Sequence, residues 1–416
     1  MDRPNEYTTV IQIGEGKLLR TLIDPILFRM KDSGWESDLY ITNIRDNGEE
    51  TIAKLKATGC FSIILRDSKN ISGFTIADFS ALSIRNEWGT LLELVKSHST
   101  LMIISNSTEN GYVASDETFN PEEKSSNFIG ILTKILYARF TSSTESKVVI
   151  LPTELIKDNG TLLRSLVKEQ AKIWKLGDPF SYWIDSFVVF TNTLVDRIVT
   201  DLPHDSIYRE VIPNCESLVS LGELYGRWWI EDLGILRELI PANRPKEMII
   251  VQKLEPYYKM KVWLLNGAHL FIACWGLAHG YETVYGAIQD KRMELHITMY
   301  WEQIKTLIPL DEDIVDEFIK NTRMRFNQQW LNHKLSSIAI NIPEKWKIRI
   351  LDPLMSFRKL HNDYLEELLI ASASVSILLS KLNNTSFQEA VNKLTQDIEL
   401  RSHIVRAYEM NGDFIE

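Results

Sequence analysis

The stretch Thr8-Thr9-Val10-Ile11-Gln12-Ile13-Gly14-Glu15-Gly16-Lys17 decides the fold. A run rich in β-branched residues ends on a glycine pair, and a helical pattern follows over 17–32. That is a strand, a tight turn and a helix in immediate succession. Gly14 permits the turn, and Gly16 lets the backbone approach a pyrophosphate over the helix N-terminus. The third glycine of the usual fingerprint is replaced by Leu19. Arg20 is either a phosphate contact or a solvated helix residue.

Working outward, LYITNI (39–44), FSIIL (61–65), LMIIS (101–105), KVVIL (147–151) and SFVVF (186–190) repeat the theme. Most are continuous apolar runs, as strands buried on both faces are. Helical patterns at 88–97, 121–139 and 161–175 separate several of them. Alternation of this kind predicts an α/β fold with a parallel sheet. The second strand ends Ile44-Arg45-Asp46. Asp46 could accept hydrogen bonds from an adenosine ribose, whereas Arg45 would suit a 2′-phosphate; the carboxylate favours NAD. Ser105, Asn106 and Thr108 lie in a polar loop, Ser105 to Gly111, at the carboxyl end of a strand, where open α/β sheets bind ligands.

The second half changes character. Ile314, Val315, Phe318, Ile319 and Phe326 recur at helical spacing within 311–331, and Asp363 to Leu382 is also helical in pattern. The expected boundary lies near Pro213–Cys215, giving a dinucleotide-binding domain at 1–214 and a mainly α-helical catalytic domain at 215–416.

A net charge of -10 argues against a nucleic-acid partner, which would need a basic stripe. Three distant cysteines, Cys60, Cys215 and Cys274, are poor material for a disulfide framework and fit a reducing compartment. The opening MDRPNEYTTVIQI lacks a basic region before an apolar core, and the longest apolar stretch, Val262 to Ala278, is broken by Asn266 and His269. A cytoplasmic protein with no membrane partner is expected.

Pro256 suits a first helical position and Gly280 a stop. Between them, Lys261, Asn266 and His269 interrupt an apolar run. At about 100° per residue the last two fall about 140° and about 80° from the first, on one face. Singly, each has a plain alternative: a snorkelling lysine, a helix break at Asn266-Gly267, a satisfied core histidine. Together they suit alcohol oxidation. A lysine whose pKa is lowered by burial can take the hydroxyl proton, and an amide can stabilise the developing alkoxide. No zinc-ligand spacing is present, so no metal is expected.

The run Lys261-Val-Trp-Leu-Leu-Asn266-Gly-Ala-His269 resembles the K-x4-N-x-x-H signature of the mannitol dehydrogenase family, the polyol-specific long-chain dehydrogenases. Asn192-Thr-Leu-Val-Asp196-Arg197-Ile198 is similar to the family's N-x-x-V-D-R-I segment, and Gly14-x-Gly16-x-x-x-Arg20 to its first turn. Similarity to a hexuronate-reducing branch extends through LPTELIKDNG (151–160) and HKLSSIAINIPEKWKIRIL (333–351). The resemblance implies a Rossmann-type N-terminal domain and a mainly helical C-terminal one. It implies Lys261 as general acid–base, Asn192 and Asn266 as the oxyanion hole, and His269 as a positioner of substrate hydroxyls.

It further implies NAD as cofactor and a small-molecule substrate, a sugar acid or polyol. A keto-hexuronate reduced to a hexonate comes first. Mannitol or mannonate chemistry and a non-catalytic nucleotide-binding relative are the alternatives. His333, Lys345 and Arg349 are the candidates for holding a substrate carboxylate. Pro343 is expected to disturb any helix at this segment.

Overall fold

Parallel pairing begins at the opening strand. In the computed structural model, β1 (Thr8–Ile13), wholly buried, lies between β2 (Ser37–Thr42) and a later strand, Thr100–Ser105. Described residues are 7–44, 46–96, 100–108, 111–142, 147–203, 206–212 and 218–415. Arg45, part of the loop after Thr108, and the expected boundary at Pro213–Cys215 lie outside them.

The remaining strands of the first unit are β3 (Phe61–Arg66), β4 (Ile71–Ile76), β5 (Ser80–Leu82), β6 (Thr100–Ser105), β7 (Val148–Pro152), β8 (Val188–Phe190), β9 (Thr193–Asp196), β10 (Val199–Thr200), β11 (Val219–Glu223), β12 (Arg227–Glu231) and β13 (Met248–Val251). The main sheet runs β5-β2-β1-β6-β7-β8, all parallel. The chain leaves β1 toward β2 on one side and returns to β6 on the other. This reversal makes the carboxyl ends of β1 and β6 the ligand-binding crevice of such a sheet. The helices Phe128–Thr141 and Asn159–Ile173 contribute Ile129, Leu132, Ile135, Leu163 and Val167 to the core on one face.

Two expectations need correction. FSIIL (61–65) does form a strand, but β3 leaves the main sheet and pairs with β4 and β11 in a second one, ordered β10-β11-β3-β4. The boundary is also later than expected. Strand β11 pairs with β3, and β12 pairs with β9 and β13, so the segment after Leu218 is bound by backbone hydrogen bonds to the first unit. The compact units are residues 1–254 and 255–416.

The second unit is helical. Apart from a single bridge between Thr283 and Lys334, its described residues form no strand. Its centre is the helix Ala268–Ala278 against the helix Glu366–Asn383, each buried over most of its circumference. Helices apolar on all sides belong in a core rather than at a surface. Pro343 disturbs nothing: it occupies the first turn of the helix Ile342–Trp346, where no N–H is needed. Cys60 is disulfide-bonded, unlike the free thiols expected, and Cys274 is a free buried thiol. No helix of the described residues is long and apolar enough to cross a membrane.

Candidate active site

In the first unit, the turn after β1 and the loop after β6 enclose a cavity of about 360 Å³. Gly14, Gly16, Ile44, Asn47, Asn106 and Thr108 are among its walls. Gly14 has φ +129°, and a Cβ there would lie 3.1 Å from the Asn106 carbonyl oxygen, so only glycine brings the two loops this close. A Cβ on Gly16 would meet nothing nearer than 3.9 Å, which leaves its backbone open on the cavity side. Asn106 is pinned by Nδ2 donating to Thr153 Oγ1 (2.9 Å) and by its own N–H donating to Ile13 O (3.1 Å). This cradle, polar and closed to side chains at its first glycine, fits a dinucleotide phosphate.

Three expected contacts sit elsewhere. Arg20 is 5% exposed, and its guanidinium donates to the Glu15 carbonyl and to Ser220 Oγ (3.1 Å). It shapes the turn from behind. Ser105 is fully buried, with Oγ donating to Glu154 (3.3 Å). Asp46 is exposed and engaged by Lys124 (3.2 Å) and Arg85 (3.8 Å), which hold its carboxyl below the usual range; its neighbours Ile44 and Asn47 line the cavity instead.

Behind Arg20 lies Asp24, with no exposed surface; burial pushes its carboxyl up to about 7, and Arg20 offsets only part of that. An acid with a raised folded-state pKa binds more protons folded than unfolded. Stability therefore falls as pH rises from about 4 to about 7 and levels off above. Urea unfolding of the wild type should show this decline, and Asp24→Asn should lessen it. An unchanged slope in that variant would mean that Asp24 stays ionised throughout.

Asn192, also in the first unit, stands between β8 and β9. Its Nδ2 donates to Glu231 Oε2 (2.7 Å), and its Oδ1 accepts from the Thr161 N–H (3.0 Å). Glu231 closes the strand RWWIE and was not singled out from sequence, since only the pairing of β12 with β9 brings it to Asn192.

The second unit carries Lys261, Asn266 and His269, all buried (7%, 8% and 6% exposed). The segment Met260–Gly267 is π-helical, not α-helical, and continues without a break into Ala268–Ala278. A π-turn closes with i→i+5 hydrogen bonds, so Lys261 and Asn266, five apart, project more nearly together than the α-helical angle of about 140° allows. His269 lies three residues beyond Asn266 on the ordinary helix, also on that face. The widened turn is supported from outside: Tyr300 Oη donates to Trp263 O, Trp301 Nε1 to Leu264 O (both 2.8 Å), and Arg349 Nη1 to Asn266 O (3.4 Å).

The His269 ring packs on Phe326 (4.4 Å between centroids) and edge-on to His333 (5.0 Å). Its Nε2 is buried and, among the described residues, has no hydrogen-bond partner. Burial first, then His333, Arg325, Arg349 and Lys261, push its pKa well below the usual value, so the imidazole is neutral. Burial and Arg325 lower His333 to about 4.

His333 and Arg349 thus join the cluster as expected. Lys345 is committed differently, donating to the Ile338 carbonyl (2.8 Å) beside the buried Cys274. Arg325, 2% exposed, was missed. A signal existed: Val315, Phe318, Ile319, Thr322 and Phe326 form the buried stripe of the helix Glu312–Phe326, and Arg325 is the charge on that stripe. Among the described residues, no group of His, Cys, Asp or Glu side chains could hold a metal ion.

A switch-point crevice behind a glycine turn is the dinucleotide-binding arrangement of an open α/β sheet. Residues 8–241 match the family model for the mannitol dehydrogenase Rossmann domain and residues 253–403 that for the mannitol dehydrogenase C-terminal domain. The chain belongs to the mannitol dehydrogenase family and is an oxidoreductase acting on a CH–OH group.

Relatives include the altronate oxidoreductase of Bacillus subtilis (strain 168), 29% identical over an alignment of 391 residues that covers 90% of this chain and 80% of that protein. The altronate oxidoreductase of Escherichia coli O6:K15:H31 is 28% identical, with 88% and 78% covered. In fold, the chain matches the mannitol 2-dehydrogenase of Pseudomonas fluorescens, solved as a ternary complex with NAD and D-mannitol (TM-score 0.76, 16% identity, 99% and 95% covered). A substrate-free D-sorbitol dehydrogenase matches equally well, at TM-score 0.76 and 16% identity, with 99% and 94% covered.

Proposed function

We propose that the protein reversibly reduces a keto-hexuronate, D-tagaturonate, to the hexonate D-altronate, with NAD as its cofactor and Lys261 as general acid–base. The observation that carries the substrate is the set of basic side chains around His269: the buried Arg325 and Lys261, the half-buried Arg349, which donates to Asn266 O, and the half-buried His333, whose ring meets that of His269. A guanidinium pairs with a carboxylate in charge-assisted hydrogen bonds, so arginines beside the Lys–Asn–His helix suit an anionic substrate. The names of the relatives point the same way.

A bound nicotinamide would supply or accept the hydride. Gly14, Gly16, Asn106 and Thr108, which line the cavity, would hold the dinucleotide. In reduction, Lys261 gives a proton to the substrate oxygen; in oxidation, it takes that proton back. The Asn266 amide donates to the same oxygen as negative charge develops on it, and Asn192 is a candidate oxyanion donor of the first unit. His269, neutral, orients a substrate hydroxyl, and Arg349 with His333 holds the carboxylate. With an ammonium and amides polarising the carbonyl, this reading needs no metal.

The test is NADH oxidation with a panel of keto-hexuronates and neutral ketoses. D-tagaturonate should exceed a neutral ketose in kcat/KM by about a hundredfold, the worth of one charge-assisted carboxylate pair. Equal rates with fructose would overturn the carboxylate assignment, and absence of turnover on every substrate would favour a nucleotide-binding relative without catalysis. Comparable rates with NADH and NADPH would overturn the assignment of NAD as the cofactor.

A further inference from the structure

The segment LPTELIKDNG (151–160) has no part in the chemistry above, yet it joins both functional regions of the first unit. At one end, the buried Glu154 carboxylate accepts from the Ser107 N–H (2.7 Å) and the Tyr112 hydroxyl (3.0 Å), anchoring the loop that lines the dinucleotide cavity. At the other, Asn159 has no exposed surface. Its Nδ2 donates to the Pro152, Glu154 and Thr193 carbonyls (3.1, 3.0 and 3.0 Å), and its Oδ1 accepts from the Thr193 and Gly160 N–H groups (3.0 and 2.9 Å). The turn is thereby fixed to the strand edge that carries Asn192. Contact is close enough that a Cβ on residue 160 would lie 2.5 Å from the Thr191 carbonyl.

The next residue faces Asn192 directly. The Thr161 N–H donates to Asn192 Oδ1 (3.0 Å), with Thr161 Oγ1 also within reach (3.3 Å), while Glu231 accepts from Nδ2. A flipped amide would set its NH2 against an N–H and its oxygen against a carboxylate, two repulsive contacts in place of two hydrogen bonds. One N–H of Asn192 is spent on Glu231. The second has no partner among the described residues.

We infer that the Asn159-Gly160-Thr161 turn and Glu231 are positioning residues that lock the Asn192 amide one way up, leaving its second N–H as a fixed donor for the reacting oxygen. The inference rests on the reading of Asn192 as an oxyanion donor. Thr161 is the third residue of the helix Asn159–Ile173, where a backbone N–H has no helical partner, so proline there removes the donor without removing a helical hydrogen bond. Its ring would also occupy the space in front of Asn192 Oδ1.

The test is steady-state turnover of D-tagaturonate with NADH by Thr161→Pro, Asn192→Ala and the double variant. Thr161→Pro should lower kcat at least about tenfold, consistent with partial loss of an oxyanion donor, with KM for NADH within about twofold of wild type. Thr161→Val keeps the N–H and should restore turnover to within about threefold. In the Asn192→Ala background, Thr161→Pro should cost nothing further.

Wild-type kcat in Thr161→Pro beside a large loss in Asn192→Ala overturns the positioning role and leaves the oxyanion reading standing. Additive losses in the double variant likewise overturn it. Wild-type kcat in Asn192→Ala overturns the oxyanion reading and the inference with it. Should Thr161→Pro fail to fold, Glu231→Gln replaces it in the same cycle: a non-additive loss with Asn192→Ala supports the lock, and an additive one overturns it.

Discussion

Replacing Lys261 with alanine is expected to cut turnover at least about a hundredfold in both directions while leaving dinucleotide affinity unchanged. The magnitude is that of a general acid–base group. Stability gives the contrast that makes the result informative. Lys261 is buried to 7% exposure, and with Arg325 and Arg349 it is among the basic groups that bear on His269. Truncating a buried side chain leaves a void, so Lys261→Ala should still fold and melt at or modestly below the wild-type temperature. The pKa of His269 should move back toward its ordinary value, because one of the cations holding it down is gone. An inactive but still folded protein is the pattern of a residue retained for chemistry. Near wild-type turnover would remove Lys261 from the mechanism. Loss of activity together with loss of folding would assign it a structural role instead.

How far the sequence reaches depends on the range of the interactions involved. Strands β1, β2, β6, β7 and β8 were readable because a strand buried on both faces is a continuous apolar run, a local property. The partner of β3 was not, because nothing in FSIIL distinguishes a neighbour in the main sheet from one contributed by Val219–Glu223, more than 150 residues later. The same long-range pairing misplaced the domain boundary. Proline and asparagine near residue 213 look like a linker, but β11 and β12 return beyond it to complete the second and third sheets.

At the site, the residue types at 261, 266 and 269 were legible and their geometry was not. A period of 3.6 residues puts Lys261, Asn266 and His269 on one broad face but leaves the first two about 140° apart; the π-turn that draws them closer is supported by Tyr300, Trp301 and Arg349, all distant in sequence. Arg20 shows the converse error. It occupies a place where a phosphate contact would be looked for, yet tertiary packing against Ser220 turns it inward.

Substituting alanine for Gly267 is expected to destabilise the protein by about 2–4 kcal/mol, through overpacking and unpaired buried polar groups, and to raise KM for D-tagaturonate more than tenfold with KM for NADH unchanged. In the sequence, Asn266-Gly267 invited the reading of a helix break. Gly267 has ordinary helical angles (φ -67°, ψ -48°), so the backbone asks nothing special of it. Space does. A Cβ would run into the Tyr300 hydroxyl and lie 2.8 Å from the Arg349 carbonyl oxygen. The first collision pushes Tyr300 from the Trp263 carbonyl it caps, leaving two buried polar groups unpaired. The second moves backbone, and with it the arginine that donates to Asn266 O.

These two consequences can be separated. Tyr300→Phe added to Gly267→Ala removes the hydroxyl from the collision, so part of the lost stability should return. The Arg349 carbonyl remains in the way, and KM for the hexuronate should stay high. Recovery of both in the double variant would show that Tyr300 alone senses the methyl group and that Arg349 does not hold the substrate. A single variant with wild-type melting temperature and wild-type KM would mean that the helices part without cost, and that the close approach at Gly267 is not what sets the position of Arg349.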